Sequence, residues 1–239
     1  MALRSDQGIV LRGYSFGEAD RIIVLISPNN GKIRTVAKGV RKTKSRFGGR
    51  LEPLTHVDLV LYEGRNLDTI TQASVILAFP KLRLDLDAVL AASTMADAID
   101  KVVVEGEPSH RLFLLLQRGL KALEAGVRGQ DLVSAFLLKM MEATGQTPAL
   151  THCASCGNSE GLHRFSLAGG GVMCDTCGVS GAVRLRKGLT QYLAVLAGAD
   201  FNDMPTGDPS LSGDALGLAR RFVEYHIETE LKSLAVLNG

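Results

Sequence analysis

The chain has 239 residues, 46% of them hydrophobic and 22% charged, enough to bury its own core without disulfide staples. No apolar run approaches the ~18 residues that cross a bilayer, and no apolar leader follows Met1, so a cytoplasmic, unprocessed protein with no membrane partner is expected. The net charge of +2 is unevenly spread: residues 1–80 hold 12 Lys and Arg against 7 Asp and Glu, and the remainder 15 against 18, which places any polyanionic partner on the front third.

The first eighty residues are rich in β-branched side chains and broken by glycine-containing turns. Strands are predicted at 7–12, 21–26, 32–37, 56–62 and 69–79, joined by turns at 13–17, 28–31 and 63–66. In the fourth, Val57, Leu59 and Leu61 alternate with His56 and Asp58, giving one buried and one wet face. Five short strands and no long helix predict a small barrel or sandwich. After Pro80 the periodicity becomes helical. Asp85 is a candidate cap for a helix carrying Leu86, Val89, Leu90, Ala96, Ile99 and Val103, and further helices are predicted at about 109–125 and 131–144. Cysteines and glycines fill 152–181, a short helix is expected at 187–196, and 200–213 reads as loop with Pro205 and Pro209. A last helix is expected at 214–237, with Leu216, Ala219, Val223, Ile227, Leu231 and Leu234 on one stripe.

The strongest local signal is Cys153-Ala154-Ser155-Cys156, then 17 residues, then Cys174-Asp175-Thr176-Cys177. Two C-x-x-C pairs at this separation match one tetrahedral zinc ion held by four thiolates. Gly157 and Gly178 follow each pair, where a turn with positive φ is expected. Leu162–Leu167 and Val172–Met173 around Gly169-Gly170-Gly171 read as a hairpin, making a zinc-ribbon-like module over 150–183. Four thiolates leave no open coordination position, so the metal is expected to be structural. A redox dithiol, reduced bystander cysteines, and His152 or His163 as substitute ligands are the alternatives.

The second signal is basic. Arg21, Lys32, Arg34, Lys38, Arg41, Lys42, Lys44, Arg46 and Arg50 occur between 21 and 51 without one acidic residue. A solvated face is one reading. The other is a mobile, glycine-containing loop over 38–50 that neutralises phosphates without reading sequence. Phe47, Tyr14 and Phe16 are then candidates for stacking on unpaired bases, with core or turn packing the alternative for each. The motif Gly13-Tyr14-Ser15-Phe16-Gly17 satisfies G-x-S-x-G, but that motif needs a strand before the serine and a helix after it, and the residues that follow are strand-like. A hydrolase is not expected, and no phosphate-binding G-x-x-x-x-G-K-[ST] occurs.

Gly8-Ile9-Val10-Leu11, Gly17-Glu18-Ala19-Asp20-Arg21-Ile22, Gly31-Lys32, and Ala37-Lys38-Gly39-Val40-Arg41 leading through Ser45 to Gly49-Arg50-Leu51-Glu52-Pro53 carry a resemblance. With the two knuckles and Gly170-Gly171-Val172-Met173-Cys174, the chain resembles the bacterial RecO family of recombination mediators from end to end. The resemblance implies an α+β chain in two parts. An N-terminal OB-fold β-barrel over 1–80 binds DNA, and an α-helical domain over 81–239 carries the embedded zinc module. It further implies binding of single- and double-stranded DNA, annealing of complementary strands without nucleotide hydrolysis and partnership with RecR. Contact with the single-stranded DNA-binding protein during RecA loading is also implied, and hence a nucleoid-associated place in the cytoplasm. Lys38, Arg41, Lys42, Lys44, Arg46 and Arg50 are the first choices for phosphate contact, with Arg21, Lys32 and Arg34 on adjoining strands second. The rival reading from both modules is an RNA-binding transcription or translation factor.

Overall fold

The structure is a computed structural model and describes residues 2–178, 181–231 and 233. The chain divides into two compact units, residues 1–124 and 125–239.

In the first unit, β1 (Leu3–Phe16), β2 (Asp20–Ser27), β3 (Gly31–Ala37), β4 (His56–Tyr62) and β5 (Asp68–Leu77) close into a barrel in the order β1-β2-β3-β5-β4. β1 runs 14 residues, well beyond the expected 7–12, because it serves two neighbours. Leu3–Ile9 pairs with β4 and Ile9–Phe16 with β2. The register shifts between Val10 and Arg12, and a bulge of this kind bends a strand so that it can turn a barrel's corner. Inward residues alternate as the pleat requires: Val10, Ile23, Leu25, Ile33, Val57, Leu59, Leu61 and Ile70 form one core.

Closure between β3 and β5 is short and parallel, through Thr35 opposite Asp68 and Val36 opposite Thr69. The front half of β3 pairs instead with the connection between α1 (Leu86–Val102) and α2 (His110–Glu124). Lys32 N donates to Val104 O (3.1 Å) and Gly106 N to Lys32 O (3.4 Å). Gly31, at φ +59, lies where any Cβ would overlap the carbonyls of Val104 and Glu107. The Asp85 side chain caps α1 at Ala88 N (3.0 Å), as its position before the helix predicts. The buried face of α1 is made mostly of small residues, Ala88, Ala91, Ala92 and Ala98 with Met95 and Ile99, while Leu86 is 72% exposed. α1 and α2 pack on the outer side of β1, and α2 also on β2, which buries Ile22, Val24 and Ile26. His56 joins β4 to this layer: its Nε2 lies 3.0 Å from Gln7 Oε1, its Nδ1 3.4 Å from Gln117 Nε2, and its ring meets Phe113 edge-on at 5.3 Å.

The second unit holds α3 (Gln130–Ala143), β6 (Arg164–Ser166), β7 (Gly171–Met173), β8 (Val183–Arg184), α4 (Leu189–Gly198) and α5 (Pro209–Ile227). α3 packs on both α4 and α5. α5 begins earlier than expected, because Pro209 sits in its first turn and Asp208 caps Ser210 N at 2.9 Å. A proline there starts a helix, since its missing N–H has no partner to lose. The helix stops at Ile227, where Glu228 turns left-handed at φ 52. Positions 232 and 234–237 of the expected helix, Leu234 among them, lie outside the described residues. The three short strands form a sheet in the order β7-β6-β8, and Phe165 on β6 meets Phe222 on α5 edge-on at 5.8 Å. No described helix is long and apolar enough to cross a membrane.

Candidate nucleic-acid surface and metal centre

The connection from β3 to β4 is fastened to the barrel rather than free. Asp20 Oδ1 accepts from Gly39 N (2.7 Å) and Ala19 O from Arg41 N (3.0 Å). A turn follows, with Lys42 N on Gly39 O (3.2 Å) and Ser45 N on Lys42 O (2.9 Å). Phe47, just before the short 3-10 turn Gly48–Leu51, and Leu51, its last residue, then enter the barrel core. The expectation of a mobile loop is therefore corrected: two buried side chains and two backbone ties hold it. Phe47 is 1% exposed, so it is a core residue and not a platform for bases.

The structure brings six of the sequence-selected cations together on this connection. Lys38, Arg41, Lys42, Lys44, Arg46 and Arg50 are all exposed. Arg41 Nη1 reaches Gly17 O at 3.5 Å, Arg46 Nη2 reaches Ile70 O at 3.4 Å, and Arg50 Nη1 reaches Arg46 O at 2.6 Å. These are bonds to carbonyls, so they orient the guanidinium groups without neutralising them. Phe16, at the end of β1, is 48% exposed. Tyr14 accepts from Arg34 Nη2 at 3.0 Å, and the guanidinium of Arg12 stands 5.5 Å from its ring centroid.

Arg21 and Lys32 have acidic partners. Arg21 Nη1 pairs with Glu52 Oε1 at 3.1 Å. Lys32 Nζ lies 3.3 Å from Asp100 Oδ1 and also donates to the Asp100 carbonyl, while Arg12 Nε holds Asp100 Oδ2 at 2.7 Å. The Lys32 side chain is only 20% exposed, so its charge ties β3 to α1. The absence of acid between 21 and 51 concealed this, because the acids come from Asp100 on a later helix and from Glu52 just past the window. Ser15 lies within β1 and is followed by a turn and β2, so the strand-to-helix elbow of a hydrolase nucleophile is missing.

In the second unit the Sγ atoms of Cys153, Cys156, Cys174 and Cys177 all lie within 4.8 Å of one another. Cys156 and Cys174 are 3.7 Å apart. Four sulfurs about 2.3 Å from one tetrahedral ion sit about 3.8 Å from each other, so the arrangement fits one thiolate-bound metal ion. Gly157 N donates to Cys153 O (2.9 Å) with φ +76, as a knuckle requires. Gly178 has no positive φ, contrary to expectation; a Cβ there would meet Arg164 Nη1 at 2.9 Å. The Thr176 hydroxyl, 3.1 Å from the Cys174 sulfur, followed by the Cys177 N–H, lowers the Cys174 thiol to about 6. At Cys156 the Asn158 N–H acts the same way, but the sulfurs of Cys177, Cys153 and Cys174 outweigh it and push the thiol up to about 11. Clustered sulfurs resist losing every proton unless a cation joins them.

The hairpin between the knuckles forms as expected, with Arg164 opposite Met173 and Ser166 opposite Gly171. Ala154 N donates to Val172 O at 2.8 Å, fastening the first knuckle to β7. Gly171 is required for close approach: Ala149 N and O bond to Gly170 O and Val172 N at 3.0 and 2.8 Å, and a Cβ on Gly171 would overlap Ala149. Neither His152 nor His163 belongs to the sulfur cluster. β8, with two residues, carried no sequence signal.

Comparison with known proteins covers almost the whole chain. The family models described as recombination protein O N terminal and C terminal match residues 1–79 and 83–235. A protein named DNA repair protein RecO from a Nocardioides species is 43% identical over 239 residues, 98% of each chain. Those of the same name from Frankia casuarinae and Thermobifida fusca are 42% and 37% identical over 241 residues, 99% of each chain.

Proposed function

The chain belongs to the recombination protein O family, whose work is DNA repair and recombination, and we propose that it acts there as a non-enzymatic strand-annealing mediator. In this reading the barrel is an OB fold, supported by five strands in the order β1-β2-β3-β5-β4 with a parallel β3–β5 closure. The observation that carries the proposal is the row of exposed cations at Lys38, Arg41, Lys42, Lys44, Arg46 and Arg50 on a connection pinned by Phe47 and Leu51. Neutralising two phosphate backbones at one surface removes their repulsion and raises the local concentration of each strand for the other. Base pairing then supplies the free energy, so no nucleotide is consumed. Arg34 extends the surface, whereas Arg21 and Lys32 contribute less because Glu52 and Asp100 already neutralise them.

The division of labour follows: residues 1–80 meet single- and double-stranded DNA, and residues 81–239 carry the partner surfaces. RecR and the tail of the single-stranded DNA-binding protein are the partners, and RecA loading is the outcome, on DNA in the cytoplasm. The ion held by the four cysteines is zinc, closed to substrate and structural, and it braces the hairpin over 150–183. The test is annealing of complementary strands coated with single-stranded DNA-binding protein, without nucleotide, by the parent chain and by Arg41→Ala/Lys42→Ala/Lys44→Ala. The variant should anneal more slowly, and its log K against log salt should be shallower by up to about three units, one per phosphate contact. Equal slopes would refute the surface.

A further inference from the structure

The sheet of the second unit contains an electrostatic conflict. Arg164 and Arg184 are direct cross-strand partners between β6 and β8, both exposed. Directly opposed residues bring their Cβ atoms to about 5 Å, and like charges there are destabilising. Neither guanidinium has a carboxylate partner among the described residues. Arg184 also lines a cleft of about 440 Å³ between β8 and α5, together with Arg186, Arg220, Arg221, Asp214 and Glu224. The two acids are matched internally. Asp214 accepts from Arg186 at 3.1 Å, and Glu224 accepts from both Arg220 (2.9 Å) and Leu231 N (2.8 Å). Arg221 Nε bonds to Gly217 O at 3.3 Å, and among the described residues neither Arg221 nor Arg184 has a carboxylate partner at the cleft. One turn along α5 from Arg221, Tyr225 is 48% exposed.

From this we infer that the β8–α5 cleft is a second nucleic-acid site, taking the phosphodiester backbone of a strand between Arg184 and Arg221. The inference rests on the DNA-binding reading above and deepens it: annealing requires a place for each of two strands, and the pinned connection of the barrel supplies one. A phosphate bridging Arg184 and Arg221 would relieve the repulsion that the Arg164–Arg184 register imposes. Guanidinium groups are suited to this because their planar forks bind phosphate oxygens in pairs. The exposed ring of Tyr225 adds a face on which an unpaired base can stack, which favours a nucleic acid over an acidic peptide.

The experiment uses the full-length, metal-loaded chain with Arg184→Ala/Arg221→Ala, and Arg184→Gln/Arg221→Gln as the version that retains side-chain packing. Both changes are made in the parent and in the Arg41→Ala/Lys42→Ala/Lys44→Ala background. Binding of a labelled oligodeoxythymidylate is titrated with salt, and annealing of complementary strands is timed. The inference expects the salt slope to fall by about two units in both backgrounds, and low-salt affinity to drop about tenfold for the two lost contacts. Annealing should slow as well. Unchanged slopes and annealing after the cleft substitutions, with DNA binding lost in the barrel variant alone, would overturn the cleft and leave the barrel reading standing. A parent chain without DNA affinity would overturn both. Cleft substitutions that abolish capture of an acidic peptide but leave the DNA slope intact would overturn the inference in favour of a protein segment as occupant.

Discussion

Arg46 and Phe47 are adjacent in sequence and opposite in fate: the Phe47 ring is buried in the barrel, and the Arg46 guanidinium stands 4.8 Å from that ring's centroid while remaining exposed. The buried residue thus holds the cationic one in place. Phe47→Ala should destabilise the protein by about 3–5 kcal/mol, as expected for a large ring removed from a packed core. Equilibrium denaturation measures this. DNA affinity, measured under conditions where the variant is still folded, should also fall, because the cations around position 47 lose their anchor. A loss of stability below about 1 kcal/mol would show that the ring is not the stopper of the barrel.

Asp100→Asn separates structural from phosphate-binding charge. Asp100 accepts from Arg12 and pairs with Lys32, and its side chain is 9% exposed. Removing the carboxylate should destabilise the first unit by about 1–2 kcal/mol, below the range for a fully buried pair because the Arg12 side chain is 54% exposed. The same change frees two cations, so DNA affinity at low salt should rise while stability falls. Measuring both on one variant distinguishes this from general damage, which would lower both.

His56 makes stability depend on pH. Burial lowers its pKa below the ordinary 6.5, and the nearby charge of Lys121 lowers it further; burial acts the same way on His226. The unfolded chain therefore takes up protons first as pH falls. Stability should be full above about pH 6.5, decline below that, and level off once pH passes the depressed folded values. His56→Gln should be less stable than the parent at pH 8 yet show a flatter decline between pH 7 and 5. An equally steep decline would assign the dependence to other groups.

The metal centre can be tested without reference to DNA. Elemental analysis should find one zinc per chain, and Cys174→Ser should lose it and render residues 150–185 sensitive to protease. Gly171→Ala should have the same effect from a position that is no ligand, because its Cβ collides with Ala149 and displaces the hairpin that positions both knuckles. Full zinc retention in Gly171→Ala would mean that the knuckles form independently of β7.

The parts of this structure that are legible in the sequence are those governed by local pattern. Val57, Leu59 and Leu61 announce β4 by alternation, Asp85 announces α1 by its place before an apolar run, and the cysteine spacing announces the sulfur cluster. What is not legible depends on residues far apart in the chain. Nothing near Lys32 reveals that Asp100 holds its ammonium group, and nothing near Phe47 reveals that the barrel lacks a ring at that spot. β8 is too short for any periodicity, and Pro209 carries one signal for two outcomes, a loop or the first turn of a helix. The cationic row at 38–50 was visible as composition, whereas its rigidity came only with the burial of Phe47 and Leu51.

The pairing of β3 with the α1–α2 connection bears on how small a working fragment of this protein can be. At Gly31 and Lys32 the backbone of β3 has β2 on one side, and on the other residues 104–106 rather than a strand of the barrel. A fragment ending at Pro80 would leave the amide and carbonyl of Lys32 without these partners. Such an unprotected edge recruits strands from other molecules. The compact unit that contains this cover extends to Glu124, so self-association of a piece ending at Pro80 would report a missing cover and not a native dimer.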